Sequence, residues 1–572
     1  MKPQHDAEVH DDFLVNLLLI LLGALLVVGV GAYGSTWLAA GLTGWDWTPL
    51  RSAEAGRFVG EMLQGSSPTA AWARLGHTSP PPDWLVAVVG LVLLTLAVVA
   101  EESVRRLLFA GNGARRTDAH WATARDERPI TVPDDPAKRP YRLVAGRSKA
   151  TRRCLAGEDC VSAVVFGPNG SGKTVGLIVP NTLEWQGSVV MTTAKPQDLA
   201  PVLAARAHLG PVWVVAPGGA PGLRVASWSP VDYATDADAA DRMAGWLVDS
   251  SGMTGDPRAR PWNAQARKYL KGLLLAAQVS GRGMAGFVEW AYEGELASEH
   301  VSQILSESGY VEVLREYRST WRIHEEGKGS VMFTAFGLAD TYNRPGVLKS
   351  SRRSDFTAAD LFRSSPATLL LVTPQSEVER FTPYFTALIS SIVHEAEQQA
   401  ALAGGPVSPR LLLALDEAGN VFRYPRLPHL LTTARGNGVQ LLLAYHDIAQ
   451  IEHLFGGRDV ARTILSNAKL RVLLPGVGDV DTLRYFSELL GQAKVSVGSR
   501  QTGPDGRRSR SESDHQQPLA PVHLLQQLPA GEAVLVYENL PPSRIRLRRW
   551  FEDRALTRLA NNEHGADRSI SS

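Results

Sequence analysis

Apolar residues occur in short, nearly uninterrupted runs between residues 161 and 474, and stretches with helical spacing separate most of these runs. Such runs are typical of strands that are buried on both faces of a sheet, because an exposed face would need a polar residue at every second position. The pattern therefore predicts an α/β fold with a mostly parallel, doubly wound sheet. The predicted strands are 161–166, 188–193, 211–216, 368–373, 410–416, 440–445 and 469–474.

One region without such runs, residues 234–333, interrupts the sheet-forming part of the chain. Its apolar residues have helix-compatible spacing, which predicts an all-α insertion domain. The sheet domain then consists of residues 151–233 and 334–553. Residues 499–518 have no apolar periodicity and are predicted to be a mobile loop, and residues 554–572 are predicted to be a polar tail.

Two longer apolar segments lie near the N-terminus, at residues 13–33 and 84–100. The first contains one amide, Asn16, and no charge, and the second is at the short end of the range that crosses a bilayer. We predict a two-helix transmembrane hairpin within residues 1–110, with a short extracytoplasmic loop that carries interfacial tryptophans such as Trp72. A cleaved signal peptide and a buried helical hairpin of a soluble protein are the alternatives.

Positive charges predict the orientation of this hairpin. Lys2 precedes the first span, and four arginines follow the second, at positions 105, 106, 115 and 116. Because such residues favour the cytoplasmic side, both termini and the large C-terminal domain are predicted to be cytoplasmic, in a multi-pass protein of the inner (cytoplasmic) membrane. Residues 111–150 are polar and basic and are predicted to be a juxtamembrane linker.

Composition narrows the functional classes only slightly. The chain has 572 residues and a formal net charge of +1, so it has no overall basic field that would indicate a nucleic-acid-binding protein. Its only cysteines, Cys154 and Cys160, cannot complete a structural zinc site and are predicted to be reduced thiols. Function must therefore be argued from local motifs.

The predicted strand 161–166 leads directly into a segment that matches the P-loop pattern G-x-x-x-x-G-K-[ST]. Glycines in such a loop let successive backbone N–H groups point at an anion, and the following helix adds its positive dipole end. We predict that ATP binds here, with Lys173 reaching the β- and γ-phosphates and the Thr174 hydroxyl holding Mg²⁺. The residues predicted to bind the nucleotide are Gly167, Pro168, Asn169, Gly170, Ser171, Gly172, Lys173 and Thr174.

The predicted strand 410–416 ends in an acidic pair, Asp416 and Glu417, which is a Walker B pattern. On a strand next to the P-loop strand, Asp416 would coordinate Mg²⁺ through water, and Glu417 would orient and deprotonate the attacking water. Arg435 lies in a predicted polar turn, 432–438, from which it could project into the site of a neighbouring subunit as a cationic finger. The alternative for Arg435 is an ordinary surface residue.

The order of these parts resembles the type IV coupling proteins, which are membrane-anchored ATPases of conjugative DNA transfer and type IV secretion. The resemblance rests on the two apolar spans together with GPNGSGKTVGLIVPNTLEW, SVVMTTAKPQDL, LLLALDEAGN, LLTTARGNGVQLLLAYHDIAQIEHLFG and SNAKLRVLLPG. It implies a RecA-like P-loop NTPase domain, an all-α domain that selects the substrate, and a homo-hexameric ring. It also implies delivery of single-stranded DNA with its relaxase, or of secreted proteins, to the channel proteins of a type IV secretion system.

Two positions depart from the pattern of this family. Relatives commonly carry an acidic residue two positions before a lysine that corresponds to Lys195, where this chain has Thr193. Many relatives carry a nucleotide-sensing glutamine where this chain has His446, whose imidazole can donate one hydrogen bond but changes charge with pH. The resemblance and the motifs together predict Glu417, Lys173, Arg435 and His446 as the catalytic residues.

Three functional hypotheses follow. The leading one is an ATP-driven motor or gatekeeper of conjugative transfer that contacts DNA through its phosphate backbone. The second is a nucleotide-regulated substrate receptor without motor activity. The third is a double-stranded DNA translocase of the chromosome-segregation type, although the sequence after Phe551 offers no evident DNA-reading module.

Overall fold

The computed structural model divides the chain into two units, Met1–Thr117 and Asp118–Ser572. The ranges that it describes are 30–44, 47, 52–77, 80–110, 118–251, 260–363, 365–373, 376–502 and 508–561. Most of the predicted first membrane span therefore lies outside the described residues.

The first unit is helical over most of its described length. Its helices are α1 (30–44), α2 (Ser52–Leu63), α3 (Pro68–Arg74) and α4 (Asp83–Ala110). Tyr33, Phe58 and Trp72 form a small core, in which the Tyr33 ring centroid lies 5.4 Å from that of Phe58 and 5.7 Å from that of Trp72. The segment predicted as a loop between two spans thus contains two helices, and Trp72 is buried rather than interfacial.

The second predicted span, residues 84–100, lies within α4. Among the described residues, no helix combines the length and the apolar character that crossing a bilayer requires. The transmembrane hairpin therefore stays a prediction.

The second unit is built around a twelve-stranded sheet with the order β1-β3-β2-β14-β13-β10-β4-β9-β8-β5-β7-β6, and β11 and β12 form a separate pair. The strands are β1 (Thr131–Val132), β2 (Val144–Ser148), β3 (Cys154–Ala156), β4 (Ala163–Phe166), β5 (Ser188–Thr193), β6 (Val212–Val215), β7 (Thr368–Val372), β8 (Leu411–Leu415), β9 (Val439–Tyr445), β10 (Leu470–Leu473), β11 (Gln492–Thr502), β12 (Arg508–Pro518), β13 (Glu532–Tyr537) and β14 (Ser543–Arg546).

Seven neighbouring strands, from β10 to β6 in the sheet order, pair in parallel, and they are the seven strands that the apolar runs predict. Their side chains alternate between two apolar layers, because successive residues of a strand face opposite sides of a sheet. Val164, Leu413 and Leu443 belong to one layer, and Val165 and Leu412 to the other. The prediction of an α/β fold with a mostly parallel sheet is therefore confirmed.

Five antiparallel strands, which the apolar runs do not predict, extend this sheet at the β10 edge. Two of them, β1 and β2, lie in residues 111–150, which we predicted to be a linker. That prediction is wrong from residue 131 onward, because β2 pairs with β3 and with β14 from the far C-terminal part of the chain. The predicted mobile loop 499–518 is likewise mostly a β-hairpin, formed by β11 and β12.

Helices cover the sheet and form the insertion between β6 and β7. In chain order they are α5 (Val179–Glu184), α6 (Leu199–Arg206), α7 (Pro230–Tyr233), α8 (Ala237–Ser250), α9 (Arg260–Val279), α10 (Gly283–Glu293), α11 (Ser298–Glu307), α12 (Val311–Ser319), α13 (Glu325–Asn343), α14 (Pro345–Ser350), α15 (Val378–Ala403), α16 (Ala418–Val421), α17 (Leu427–Asn437), α18 (Ile448–Phe455), α19 (Arg458–Asn467), α20 (Val480–Leu490), α21 (Val522–Gln526) and α22 (Arg554–Ala560). The predicted end of the insertion at residue 333 falls inside α13. The predicted polar tail begins with α22, whose Leu556 is buried in the apolar layer that also contains Val165.

Candidate functional site

The P-loop follows β4 at the carboxyl end of the parallel strands. Gly167 continues the sheet, since its N–H donates to the carbonyl of Tyr445 at 3.1 Å. A Cβ atom on Gly167 would lie 2.5 Å from the Ser171 Oγ, so this position requires glycine. Gly170 and Gly172 have φ angles of +82° and +97°, which L side chains rarely adopt. The loop therefore curls as the sequence motif predicts.

The helix after the P-loop begins with a π-helical turn, Thr174–Ile178, and continues as α5. Pro180 lies at the start of α5, where a missing N–H is tolerated. The π-turn leaves the carbonyl of Val175 to accept a hydrogen bond from the N–H of Trp550 at 3.1 Å. The C-terminal part of the chain is thus attached directly to the P-loop helix.

A buried ion-pair cluster reinforces this attachment. Glu184, at the end of α5, accepts two hydrogen bonds of 2.9 Å from Arg548 and lies 2.7 Å from the guanidinium of Arg139. Arg548 also donates to Asp553 at 3.0 Å. Breaking a buried pair of this kind commonly costs about 3–5 kcal/mol, because one charge is left without a partner. The cluster therefore fixes the P-loop helix between segments from both ends of the unit.

Lys173, Thr174 and Asp416 lie together at the mouth of the P-loop. The ammonium group of Lys173 donates to the carbonyl of Gly167 at 2.5 Å, and the Thr174 hydroxyl donates to the Asp416 carboxylate. Lys173 is only 5% exposed, and this burial lowers its pKa, although the carboxylates of Asp416 and Glu417 oppose the shift. Burial likewise raises the pKa of Asp416, against the Thr174 hydrogen bond and the Lys173 charge. Lys173 and Asp416 are thus ionisable groups in a poorly solvated environment.

We expected the acidic pair to lie on the strand next to β4. Instead, β9 lies between β4 and β8, the strand that carries the pair. Asp416 directly follows β8, and its carbonyl accepts a hydrogen bond from the Thr192 hydroxyl at 2.9 Å. Glu417 adopts a left-handed conformation with φ 51° and ψ 48°. For a residue with a side chain this conformation costs about 1–3 kcal/mol, and such residues are enriched at functional sites.

Glu417 is buried and held by its neighbours. The Asn420 side chain donates to the Glu417 carboxylate at 3.3 Å, and the carbonyl of Asn420 accepts from the Thr382 hydroxyl at 2.6 Å. This contact connects α16, directly after the acidic pair, to the long helix α15. A hydrogen-bond network therefore holds the carboxylate of Glu417 and links it to α15.

His446 follows β9 and thus lies between the P-loop strand and the acidic strand. Its backbone N–H donates to the Gln450 side chain at 3.0 Å. Burial and the charge of Lys173 lower the pKa of the imidazole, while Glu417 and Asp447 act in the opposite direction. The histidine is therefore neutral near pH 7 and is electrostatically coupled to both Lys173 and Glu417.

Lys173, Thr174, Asp416 and Glu417 line a cavity of about 250 Å³, whereas His446 is not among its lining residues. The residues around it include six of the eight predicted P-loop residues, Asp416 and Glu417, and also two charged residues that we did not predict as part of the site, Lys195 and Asp198. Asp198 is buried, which raises its pKa, and its carboxylate lies 3.4 Å from the Thr193 hydroxyl. The carboxylate missing at position 193 is therefore supplied to the same cavity by Asp198, five residues later in the chain.

The chemistry of this cavity fits a nucleotide with Mg²⁺. Ser171 Oγ and Asp416 Oδ1 are buried atoms that have no hydrogen-bond partner within the described part of the chain. Buried polar atoms usually have partners, so an orphaned pair beside a phosphate-binding loop indicates a ligand site. Thr174 and Asp416 offer the oxygen ligands that Mg²⁺ prefers. Two protein ligands are enough where phosphates and water complete the coordination of the ion.

Arg435 lies at the other end of the sheet. It is in the last turn of α17 rather than in a polar turn, and its guanidinium pairs with Glu158 at 2.9 Å. Together with Ser162 and Lys469 it lines a second cavity, of about 270 Å³, before the start of β4. Because β4 spans about 13 Å, this cavity is separated from the P-loop of the same chain. The structure therefore does not bring Arg435 to the other predicted catalytic residues.

The arrangement is that of a nucleotide-binding protein of the RecA-like class. The P-loop follows β4, the acidic pair follows β8, and the strand between them, β9, is followed by the polar residue His446. Family comparison then makes the assignment specific. The chain belongs to the type IV secretory system conjugative DNA transfer family, whose model matches residues 124–571. The predicted membership of the coupling-protein family is thereby confirmed.

Individual relatives agree with this assignment. The conjugal transfer protein TraG of Escherichia coli is 25% identical over 504 residues, which cover 78% of this chain and 77% of that protein. A second E. coli TraG is matched over only 60% of its length. The plasmid coupling protein TrwB with the ATP analogue ADPNP has a similar fold, with a TM-score of 0.56 at 16% identity over 76% of this chain and 96% of TrwB. TrwB with ADP and Mg²⁺ has a TM-score of 0.50 at 17% identity over 68% of this chain and 85% of TrwB.

Proposed function

We propose that this chain is a membrane-anchored ATP hydrolase that couples a DNA or protein substrate to a type IV secretion channel and powers or gates its transfer. The observation that carries the proposal is the cavity in which Lys173, Thr174, Asp416 and Glu417 meet at the end of a RecA-like sheet. The membership of a conjugative DNA transfer family supplies the class of substrate.

ATP with Mg²⁺ is the proposed ligand of the cavity. Backbone N–H groups of Gly170 and Gly172 would cradle the phosphates, and Lys173 would leave the Gly167 carbonyl to bind the β- and γ-phosphates. Thr174 and Asp416 would hold Mg²⁺, which neutralises phosphate charge when bound. The TrwB complexes with ADPNP and with ADP and Mg²⁺ support this choice.

Glu417 is the proposed general base. Its carboxylate lines the cavity, and the Asn420 hydrogen bond holds it, so it can orient a water molecule and accept its proton. His446, which is neutral near pH 7, is proposed to report the state of the site along β9 and α18 by donating one hydrogen bond. The low exposure of these groups strengthens their electrostatic interactions.

Arg435 is proposed to complete the site of a neighbouring subunit in a homo-hexameric ring. Two observations support this role: Arg435 lies too far from the P-loop of its own chain, and its guanidinium is half-exposed at the opposite end of the strands. An arginine supplied in trans would stabilise the charge that develops on the transferred phosphoryl group.

The proposed partners are single-stranded DNA with its relaxase, the channel proteins of a type IV secretion system, and the inner membrane. The apolar segments 13–33 and 84–100 support the membrane anchor, with both termini and the ATPase domain on the cytoplasmic side. The α-helical insertion between β6 and β7 is the proposed substrate-selecting domain.

The deciding experiment is ATP hydrolysis by the purified full chain with single-stranded DNA, with duplex DNA or without DNA. We expect DNA to stimulate hydrolysis and Lys173→Ala to abolish it, because this variant lacks the cation that contacts the phosphates. Lys195→Ala, which removes an exposed lysine of the same cavity, is the matched control and should retain most of the activity. A Lys173→Ala chain that supports DNA transfer at the wild-type frequency would favour the receptor hypothesis over the motor.

A further inference from the structure

Helix α13 of the insertion, Glu325–Asn343, is apolar on two opposite faces. One face packs in the core, where Val331, Ala335 and Leu338 are at most 1% exposed. The opposite face carries Phe333 and Phe336, whose exposed fractions are 72% and 39%. A surface helix normally has a polar face opposite its buried one, so the second apolar face of α13 has the composition of a face that another molecule covers.

The preceding helix α10 extends this exposed face. Tyr292 near the end of α10 is exposed, and its ring stacks on that of Phe336 with 6.3 Å between the centroids and 20° between the planes. We call Tyr292, Phe333 and Phe336 the aromatic patch. Because two of its rings are already stacked on each other, part of the patch is organised before a partner binds.

Two glycines lie beside Phe333 on the same face of α13. Gly329 and Gly337 are four residues before and after it, which is the spacing of neighbours on one helix face. A Cβ atom at either glycine would meet no other atom within 4 Å, so packing within the chain does not require them. Glycine weakens a helix interior relative to alanine, but it lets another backbone approach closely. Phe333 therefore projects between two positions that leave room for a partner.

The charges around the aromatic patch are mainly negative. Residues 282–299 and 325–344 contain seven acidic and three basic side chains. The three basic ones are all paired within the chain: Arg282 with Glu289, Lys328 with Glu325 and Glu295, and Arg344 with Asp340. Among the described residues, Glu293 and Glu326 have no ion-pair partner.

This charge distribution selects the class of partner. Glu293 directly follows Tyr292, and Glu326 lies two turns before Phe333 on the same face of α13. Carboxylates at these positions repel the phosphates of nucleic acid and of anionic lipids, and they attract lysine and arginine. The partner is therefore a protein segment that has apolar and basic residues together.

The form of the surface selects the conformation of that segment. An extended peptide commonly binds by pairing with the edge of a sheet, whereas the aromatic patch lies on two helices whose backbone groups bond internally. A helix can instead pack its apolar stripe against such a face, with side chains of one helix between those of the other. The glycines on both sides of Phe333 offer the space for this packing.

We propose that the aromatic patch on α10 and α13 is the docking surface for an amphipathic helix of a protein partner, with basic residues beside its apolar stripe. The inference rests on the proposed function in that the chain receives a protein substrate. It goes beyond that function by assigning the contact to one face of the insertion and by defining the chemistry of the segment that binds there.

The test measures fluorescence anisotropy of a labelled peptide with the purified full chain. The probe is an amphipathic helix of leucine and lysine, about 18 residues long. Two comparison peptides carry glutamate in place of lysine, or the same composition in an order without an apolar face. Both should bind at least about tenfold more weakly, because each lacks one of the two properties that the surface recognises.

Phe333→Ala/Phe336→Ala should weaken binding of the leucine–lysine peptide by about tenfold or more. Its matched control is Leu402→Ala, which removes an exposed apolar side chain of α15 and should bind the peptide as the wild type does. Glu293→Gln/Glu326→Gln should lower the affinity and its dependence on salt. Glu312→Gln, which alters an exposed glutamate of α12, should change neither.

The glycines separate docking from folding. Gly329→Gln/Gly337→Gln should raise the midpoint of thermal unfolding, since glutamine favours a helix more than glycine does and both positions are open. The same variant should weaken peptide binding, because the new side chains occupy the space beside Phe333. A merely structural role of this face would not make stability and binding change in opposite directions.

The inference is overturned if Phe333→Ala/Phe336→Ala binds the leucine–lysine peptide normally, or if the wild type binds all three peptides equally well. It is also overturned if this variant changes only the oligomeric state, which would assign the patch to contacts between copies of this chain. ATP hydrolysis by the variant should be unchanged, since no residue of the patch lines the P-loop cavity. Absence of hydrolysis in the wild type, with peptide binding retained, would count against the proposed function instead.

Discussion

The two ends of β4 lead to cavities of similar size and different character. At the carboxyl end lies the P-loop cavity, of about 250 Å³, and near the amino end lies the cavity that Arg435 lines, of about 270 Å³. In the first, Lys173 is 5% exposed, and two buried oxygen atoms have no partner among the described residues. In the second, the side chains of Arg435 and Glu158 are 51% and 54% exposed and pair with each other.

This difference indicates two kinds of site. The P-loop cavity holds its charged groups in a poorly solvated environment, with the Glu417 backbone in a left-handed conformation, which is typical of a preorganised active site. At the other end the cations are satisfied by glutamates of the same chain, since Lys469 pairs with Glu538 at 2.5 Å much as Arg435 pairs with Glu158. Exposed pairs of this kind are weak and can exchange partners, which suits a surface that meets another subunit.

The strongest test of this comparison is Arg435→Ala. If Arg435 acts in trans, hydrolysis should fall by about 10³-fold or more, while nucleotide affinity is retained because the P-loop cavity of each chain is intact. Steady-state hydrolysis and binding of a fluorescent ATP analogue measure the two quantities separately. Arg458→Ala, which alters another exposed and paired arginine, is the control and should hydrolyse ATP as the wild type does.

Mixing experiments decide whether Arg435 acts in its own chain or in a neighbour. Arg435→Ala subunits retain Glu417, and Glu417→Gln subunits retain Arg435, so mixed rings contain complete sites at some interfaces. Recovery of hydrolysis on mixing is expected. If hydrolysis did not recover although both variants assembled into rings, Arg435 would not act in the P-loop cavity of a neighbouring subunit.

Glu417→Gln should have the next largest effect. Glutamine keeps the size of the side chain and the contact with Asn420 but cannot accept a proton, so hydrolysis should fall by about 10²–10⁴-fold with tight ATP binding preserved. Single-turnover hydrolysis together with ATP retention on the protein distinguishes this result from a folding defect. If Asp198→Asn lowered hydrolysis more than Glu417→Gln did, Asp198 would be the better candidate for the base.

The parallel strands could be predicted because their signal is local: Leu411–Leu415 and Val439–Tyr445 are apolar at nearly every position and buried on both faces. The P-loop and the acidic pair could be found for the same reason, since each is a short motif at the end of such a strand. The intervening position of β9 could not be predicted, because strand order depends on contacts between distant parts of the chain.

The missed elements lack a local signal. Strand β2 is short and contains Arg147 and Ser148, and it is stabilised by pairing with β14, which lies about four hundred residues later in the chain. Strand β12 alternates serine with charged residues from Arg508 to Asp514, so it has no apolar period to detect. Asp198 lies in the segment SVVMTTAKPQDL, but nothing in that segment marks it as a site residue, and only the fold shows that it lines the P-loop cavity. Arg435 was assigned to a turn because Gly436 and Gly438 follow it, but α17 continues to Asn437.

Acidification should act on the P-loop cavity through His446. Burial and Lys173 lower the pKa of this imidazole below its ordinary value of 6.5, with Glu417 and Asp447 opposing. At His446 the unfolded chain therefore binds a proton more readily than the folded chain does. The free energy of unfolding is highest with respect to this group above pH 6.5, and this contribution is lost as the pH falls through the folded-state pKa. Below that pKa, a second cation beside Lys173 should reduce hydrolysis by about tenfold per pH unit.

The His446→Gln variant provides the comparison for this pH profile. Glutamine donates a hydrogen bond without titrating, so its rate should lose this acidic limb while matching the wild type at neutral pH. Identical profiles of the two proteins on the acid side would assign the limb to another group, with the buried carboxylates of Asp416 and Asp198 as the first alternatives because their pKa values are raised.

The smallest expected effect belongs to Glu158→Gln at the opposite end of β4. Because the Arg435 pair is exposed, its removal should change the free energy of unfolding by less than about 1 kcal/mol, as measured by chemical denaturation. Glu158 is expected to compete for Arg435 with the phosphates of the nucleotide in a neighbouring subunit. In that case the rate of hydrolysis should rise in Glu158→Gln, but by no more than about fivefold, because the lost pair contributes less than about 1 kcal/mol. Glu538→Gln releases Lys469 in the same cavity without releasing Arg435 and should leave the rate unchanged. A fall in hydrolysis in Glu158→Gln would instead mean that this glutamate holds Arg435 in its working position.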